Sequence, residues 1–208
     1  MFLPDIYPIT DTRLSKLSHA EQVKRLVKGG ATFIQLREKR GSAKDFFADA
    51  AGALEFARKN GVKIIINDRV DVALALGADG VHLGQDDLPP EEARKILGEQ
   101  AIIGFSTHNL TQAIAAVKLP VDYIAAGPIF DTKTKENHEK TVGLDALKNI
   151  RREIGRFPLV AIGGINLSNF REVFDAGADS VAIIGDLLSE PDEISEKLGE
   201  FFSKSNSE

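Results

Sequence analysis

Cysteine is absent from the 208 residues. Disulfides, thiolate zinc sites and a cysteine nucleophile are therefore excluded, and a reducing compartment fits. No apolar run approaches the ~18 residues of a membrane-spanning helix. The opening MFLPDIYPITD lacks the basic start, long apolar stretch and small-residue cleavage site of a secretory leader. A basic surplus is missing too: 26 Lys and Arg stand against 31 Asp and Glu, a net charge of −5. Nucleic-acid binders carry a basic excess or a dense basic stripe. No linker or low-complexity stretch divides the chain. These absences predict a soluble cytoplasmic protein with no nucleic-acid or membrane partner; a homo-oligomer stays open.

What is present suits one globular domain of residues 1–208, with a polar tail, 203–208, expected to fray. Hydrophobic residues make up 43% and charged residues 27%, ordinary values for a chain able to bury a core. Eight short β-prone segments recur: Ile6–Thr10, Thr32–Arg37, Lys63–Asn67, Gly80–Leu83, Ala101–Phe105, Asp122–Ala126, Pro158–Ile162 and Ser180–Ile184. Several are continuously apolar, as in Ile64-Ile65-Ile66, the pattern of strands covered on both faces in a parallel sheet. Helical patterns lie between them. Ser18 with Glu21 and Ser42 with Asp45 predict capped N-termini, and Asn109 predicts a third. Glycines at 29-30, 61, 77 and 177 fit left-handed helix ends. GADGVHLG (77–84) and GADSVAIIG (177–185) share one plan of glycine, Ala-Asp turn and strand, a weak repeat of αβ modules. Eight βα units in this length predict a (β/α)8 TIM barrel, with an open doubly wound sheet as competitor.

A barrel places its chemistry at the C-terminal ends of the strands. The residues there are polar at every turn: Thr10-Asp11, Gln35, Arg37, Lys39, Asn67-Asp68, Gln85-Asp86-Asp87, Ser106-Thr107-His108, the loop from Gly127, Gly163-Gly164 and Gly185. Arg37, Lys39 and Lys135 offer cations to an anion. Gly163-Gly164 and Gly185 follow the seventh and eighth strands, where barrels commonly seat a phosphate on backbone N–H groups. Asp68 with Asp87, or Asp86 in its place, could hold an octahedral Mg²⁺ together with diphosphate oxygens and water. His82 lies in an apolar strand and reads as a packed core residue; His108 follows a strand and could touch a ligand. Gly127–Gly143 is the longest connection, and Thr132, Thr134 and Lys135 could cover an anion as a lid.

YPITD (7–11), FIQLREK (33–39), IINDRVDVALALGADGVHLGQDD (65–87), IGFSTH (103–108), DYIAAGPIFDTKTK (122–135), VAIGGIN (160–166) and AGADSVAII (176–184) together resemble the thiamine phosphate synthase family across nearly the whole chain. The resemblance implies condensation of an aminopyrimidine methyl diphosphate with a thiazole phosphate, giving thiamine phosphate and pyrophosphate by a dissociative, Mg²⁺-assisted route. It implies that Gln35, Arg37, Lys39, Asn67, Ser106 and Lys135 contact the pyrimidine diphosphate, with Arg37, Lys39, Ser106 and Lys135 as the catalytic subset. It casts Asp68 and Asp87 as Mg²⁺ ligands, and Thr132, Thr134, Gly164, Ile184 and Gly185 as thiazole-phosphate contacts. Two departures stand out: Gly185 replaces the family's usual Ser, and Asp131 its usual Pro. The alternatives are a thiazole tautomerase of the same superfamily, which retention of Lys39, Asp87 and T-x-TK disfavours, and a non-catalytic binding barrel for thiamine intermediates.

Overall fold

The computed structural model describes residues 3–132 and 141–205. In chain order the elements are β1 (Ile6–Asp11), α1 (Thr12–Ser15), α2 (His19–Lys28), β2 (Phe33–Arg37), α3 (Ala43–Lys59), β3 (Lys63–Asn67), α4 (Val70–Leu76), β4 (Gly80–Leu83), α5 (Pro90–Leu97), β5 (Ile102–Thr107), α6 (Leu110–Ala116), β6 (Tyr123–Ala126), α7 (Gly143–Ile154), β7 (Leu159–Ile162), α8 (Phe170–Asp175), β8 (Ser180–Ile183), α9 (Gly185–Leu188), a 3₁₀ turn (Pro191–Glu193) and α10 (Ile194–Ser205). The eight strands pair in sequence order, all parallel, and β8 returns to β1 to close the barrel. The (β/α)8 expectation is met. The tail expected to fray from Ser203 is helical through Ser205, whose Oγ donates to Asp5 Oδ2 at 2.6 Å. Among the described residues no helix is long and apolar enough to cross a membrane.

Local chemistry starts the helices as the sequence predicts. Ser18 accepts from the Glu21 N–H, Ser42 from the Asp45 N–H and Asn109 from the Gln112 N–H. Each satisfies a first-turn amide that has no intrahelical partner. Of the Gly29-Gly30 pair only Gly30 is left-handed; Gly29 is still helical.

The repeat has a physical cause. The Asp79, Asp122 and Asp179 carboxylates each accept, at 2.8 Å, the first or second amide of the preceding strand: Ile64, Ile103 and Leu159 respectively. The same three residues' N–H groups bond the carbonyls of those same residues. Each aspartate thus ties the N-terminal end of one strand to the entry of the next. This is the barrel's lower rim, where such residues serve stability rather than chemistry. Asp122 also takes Arg94 Nη2 at 2.8 Å. Asp122→Ala is expected to lower unfolding free energy by about 1–3 kcal/mol by stranding the Ile103 amide, with the turnover rate unchanged; denaturant melts and an activity assay check this.

Alternation along the strands sorts side chains between two environments. Ile34, Leu36, Ile64, Ile66, Val81 and Leu83 face the helices and are fully buried. The intervening positions face the barrel axis, and several of these are polar: Tyr7, Gln35, Arg37, Asn67, His82 and Ser106.

Candidate active site

A cleft opens at the C-terminal end of the barrel axis. Its walls come from every strand at the period-2 positions: Tyr7 and Ile9, Gln35 and Arg37, Asn67, His82, Ser106, Ala125, Val160 and Ile162, Ala182, and Ile184 just past β8. Five expected site residues, Gln35, Arg37, Asn67, Ser106 and Ile184, therefore meet in one space.

Register explains the most buried charge. Asp11 pairs with Arg37 across β1 and β2, so their side chains share the inward face. Arg37 Nη1 donates to Asp11 Oδ2 at 2.6 Å, with side-chain exposures of 10% and 7%. Asp11 also caps α1 by accepting from the Arg13 and Leu14 N–H groups. The guanidinium is anchored at one end, and its other donors make no bond among the described residues.

Asn67 ends β3, 6% exposed, and its amide nitrogen has no hydrogen-bond partner among the described residues. A buried donor left unpaired costs about 1–3 kcal/mol, so an acceptor arriving in the cleft is strongly favoured at this point. The next residue, Asp68, has φ +61°, a left-handed conformation that aspartate tolerates better than most side chains. Asp68 lies beside Asp87, and Lys39 Nζ donates to Asp68 Oδ2 at 2.6 Å. Burial, together with the like charge of Asp68, pushes the Asp87 carboxyl above its usual range, while the Gly84 N–H at 2.6 Å and Lys39 oppose this. Two adjacent carboxylates with a single lysine between them are short of positive charge. Among the described residues no cluster of three or more His, Asp or Glu forms a complete metal cage. Two carboxylates and open positions match the way Mg²⁺ binds when phosphate oxygens and water complete its shell; the donor set fits that ion.

The remaining expectations divide. Lys39, Asp68 and Asp87 form a rim cluster outside the cleft walls. Ser106 and Thr107 lie within β5, not beyond it. The His108 ring is held by the Gly127 carbonyl at 2.7 Å and is absent from the cleft lining. Gly164 follows β7, and Gly185 opens α9 with Ile184 as the residue before it. Thr132 is the last described residue of its loop; Thr134 and Lys135 lie outside the described residues. The core reading of His82 is incomplete: it lines the cleft and bonds both Ser106, at 2.9 Å, and Tyr123, at 3.0 Å. Sequence reasoning missed Tyr7 and Tyr123 altogether. The period of two that groups Tyr7 with Ile9 and Asp11 was the available signal for Tyr7.

A parallel (β/α)8 barrel whose upper mouth joins an anchored guanidinium, an unpartnered amide donor and a carboxylate pair has the build of a barrel enzyme. A family model described as thiamine monophosphate synthase matches residues 6–187, and the chain belongs to that family of transferases. It is 48% identical over 196 residues to the thiamine-phosphate synthase of Koribacter versatilis, covering 91% of each chain, and 44% identical over 188 residues to that of Chloroflexus aurantiacus, covering 90% of this chain and 86% of the relative. Among solved structures, the thiamine phosphate pyrophosphorylase from Pyrococcus furiosus superposes with a TM-score of 0.86 at 37% identity, over 96% of this chain and 94% of that one.

Proposed function

We propose that this transferase joins an aminopyrimidine methyl diphosphate to a thiazole phosphate, releasing pyrophosphate and forming thiamine phosphate in the cytoplasm. The observation that carries the reading is the unpartnered Asn67 amide beside the Lys39–Asp68–Asp87 cluster: a donor without an acceptor next to carboxylates without enough cation. A diphosphate with its Mg²⁺ supplies both deficits. Gln35 lies two residues below Arg37 on β2 and, with Ser106 on β5, would flank the pyrimidine ring, leaving Arg37 nearer the rim. Ile184 lines the opposite wall, and with Gly164 and Gly185 after β7 and β8, and Thr132 and Thr134, would receive the thiazole phosphate on backbone N–H groups and hydroxyls.

Asp68 and Asp87 would hold Mg²⁺, which when bound neutralises charge on the departing pyrophosphate. The bond from the pyrimidine methylene carbon to the diphosphate oxygen breaks with both electrons going to oxygen. The thiazole nitrogen then supplies its lone pair to the methylene carbon. Arg37, Lys39 and Lys135 gain interaction energy as negative charge accumulates on the leaving group, which accelerates the step rather than only tightening binding. No general base is required by this route.

Incubation with both phosphorylated precursors and Mg²⁺ should yield pyrophosphate and thiamine phosphate in equal amounts. Formation of neither product overturns the proposal, and isomerisation of a thiazole precursor alone would favour the tautomerase. Asp87→Asn keeps the shape and removes one charge. Activity is expected to fall at least ~10-fold, about 1.4 kcal/mol of barrier, and the Mg²⁺ concentration giving half-maximal rate should rise. An unaltered Mg²⁺ titration would remove Asp87 from the metal site.

A further inference from the structure

Beneath the cleft, five side chains form an unbroken hydrogen-bonded line across the barrel axis. Gln35 Nε2 donates to Tyr7 OH at 2.9 Å; Tyr7 OH meets Tyr123 OH at 3.0 Å; Tyr123 OH meets His82 Nδ1 at 3.0 Å; His82 Nε2 meets Ser106 Oγ at 2.9 Å. Tyr123 is fully buried and is not among the cleft walls, so it joins the two ends without itself facing a ligand. Its place depends on Gly104. His82, Gly104 and Tyr123 are neighbours in register on β4, β5 and β6. A Cβ on residue 104 would come within 2.1 Å of the Tyr123 ring and 2.5 Å of His82 Nδ1. The missing side chain lets His82 and Tyr123 meet over an intervening strand, their rings stacked at 5.5 Å.

Donor counting gives the line a direction. Tyr7 is 1% exposed, and its hydroxyl has two partners, Gln35 and Tyr123. If Gln35 donates to Tyr7, the Tyr7 proton has only Tyr123 to go to, since a buried donor without an acceptor is costly. Tyr123 must then donate to His82 Nδ1. A neutral imidazole carries one N–H, so Nε2 holds it and donates to Ser106. Ser106 is left with its own O–H to offer to the cleft, while Gln35 offers its amide oxygen. Turning the Gln35 amide over reverses every link: Gln35 then offers N–H to the cleft and Ser106 an acceptor oxygen. With His82 neutral and one face of the Gln35 amide turned to Tyr7, neither arrangement lets both ends offer the same polarity.

We propose that Tyr123, acting with Tyr7 and His82, is a positioning and specificity residue that ties the hydrogen-bond polarity of Gln35 to that of Ser106. The cleft then accepts a flat ring presenting one donor and one acceptor and rejects a similar ring presenting two acceptors. This rests on the aminopyrimidine reading above, because an amino group beside a ring nitrogen is one donor and one acceptor. A ring with methoxy in place of amino presents two acceptors. It needs both ends of the line to donate, which breaks one buried link or demands a second proton on His82. Burial keeps both phenols protonated, raising Tyr7 and Tyr123 above the usual tyrosine range, so neither gives up the proton that the line transmits.

The test titrates the purified protein by calorimetry with the amino and the methoxy pyrimidine methyl diphosphates. Wild type is expected to favour the amino ligand by roughly 100-fold, the scale of leaving one buried polar group unsatisfied. Tyr123→Phe keeps the ring and cuts the line, so Gln35 and Ser106 can both donate. The preference should narrow at least ~10-fold, mainly through gained methoxy affinity. The methoxy carbon's bulk affects both proteins alike and cancels in the comparison. A merely structural role would weaken both ligands together and leave the ratio fixed, which overturns the proposal. Tyr7→Phe interrupts the line one link earlier and replaces the first variant if that one does not fold. A wild type that makes product yet shows no preference overturns the relay alone. One that neither binds the amino ligand nor turns over overturns the substrate reading and the relay with it.

Discussion

Arg37→Ala is expected to lower kcat/KM about a thousandfold, the upper range for removing one fixed donor to a developing anion. The argument begins with register. Asp11 and Arg37 are opposed across β1 and β2, and their 2.6 Å ion pair is nearly sealed from water. Asp11 is itself fixed by two amides of α1. The guanidinium is therefore held before any ligand arrives, with donors left over for the leaving group. Such pre-orientation costs nothing at the moment of bond breaking, so the loss should fall on kcat as well as on KM. Stability should fall too. Breaking one partner out of a buried pair costs about 3–5 kcal/mol, and the lower figure applies because Asp11 keeps its two amides. The two effects can be separated. Arg37→Ala with Asp11→Asn removes both charges, keeps an acceptor for the two α1 amides and should recover much of the stability while leaving turnover low. Arg37→Lys keeps the charge but loses the planar fork, and should fall between. Turnover in Arg37→Ala within about threefold of wild type, despite a lowered melting temperature, would make the pair structural only.

Where information is local, the sequence was readable. Ser18, Ser42 and Asn109 cap helices through bonds that span three residues, so neighbouring letters suffice. The run Ile64-Ile65-Ile66 reports a strand covered on both faces, and the repeated Gly-Ala-Asp reports a turn whose aspartate does one structural job at 79 and 179, which Asp122, after Pro-Val, does a third time. Strand ends carried most of the site because barrel geometry converts position along a strand into height in the cleft; Gln35 and Arg37, two residues apart, land on one wall. Non-local pairing was unreadable. Tyr7 and Tyr123 are 116 residues apart and become neighbours only when the barrel closes. His82 looked like a core residue because its strand neighbours are apolar. Those neighbours face the helices, while His82 faces the axis. Four-residue helices such as α1 and α9 carry too little periodicity to register, although Asp11 and Gly185 owe their settings to them.

Replacement of Gly164 by valine is expected to damage thiazole-phosphate binding at least ~100-fold, close to 2.7 kcal/mol, while the pyrimidine diphosphate, which shares only Lys135 with the affected loop, loses no more than about tenfold. Gly164 has φ +66°, where a β-branched residue is strained by about 1–2 kcal/mol. Space is lacking as well: a Cβ would stand 2.7 Å from the Asp131 carbonyl oxygen and 2.7 Å from Phe130 Cβ. Gly163 is equally confined, its Cβ position lying 2.5 Å from Pro128. The two glycines are thus where the loop after β7 meets the loop after β6, the one that runs on to Thr132. A side chain here must push that loop away or shift the Gly164 amide, and either movement would spoil the proposed phosphate seat on these loops and the start of α9. Overpacking adds about 1–3 kcal/mol of lost stability, so affinities should be measured well below the variant's melting temperature. The proposed diphosphate rim of Lys39, Asp68 and Asp87 follows β2, β3 and β4, outside these loops; of the proposed diphosphate contacts only Lys135 belongs to the loop after β6. Gly185→Ser supplies the contrast: it adds one hydroxyl at the opening of α9 and should change thiazole-phosphate affinity by no more than about 1 kcal/mol. Calorimetry with each ligand separately decides between outcomes. Equal weakening of both ligands by Gly164→Val, or no weakening of either, would move the phosphate seat off the ends of β7 and β8.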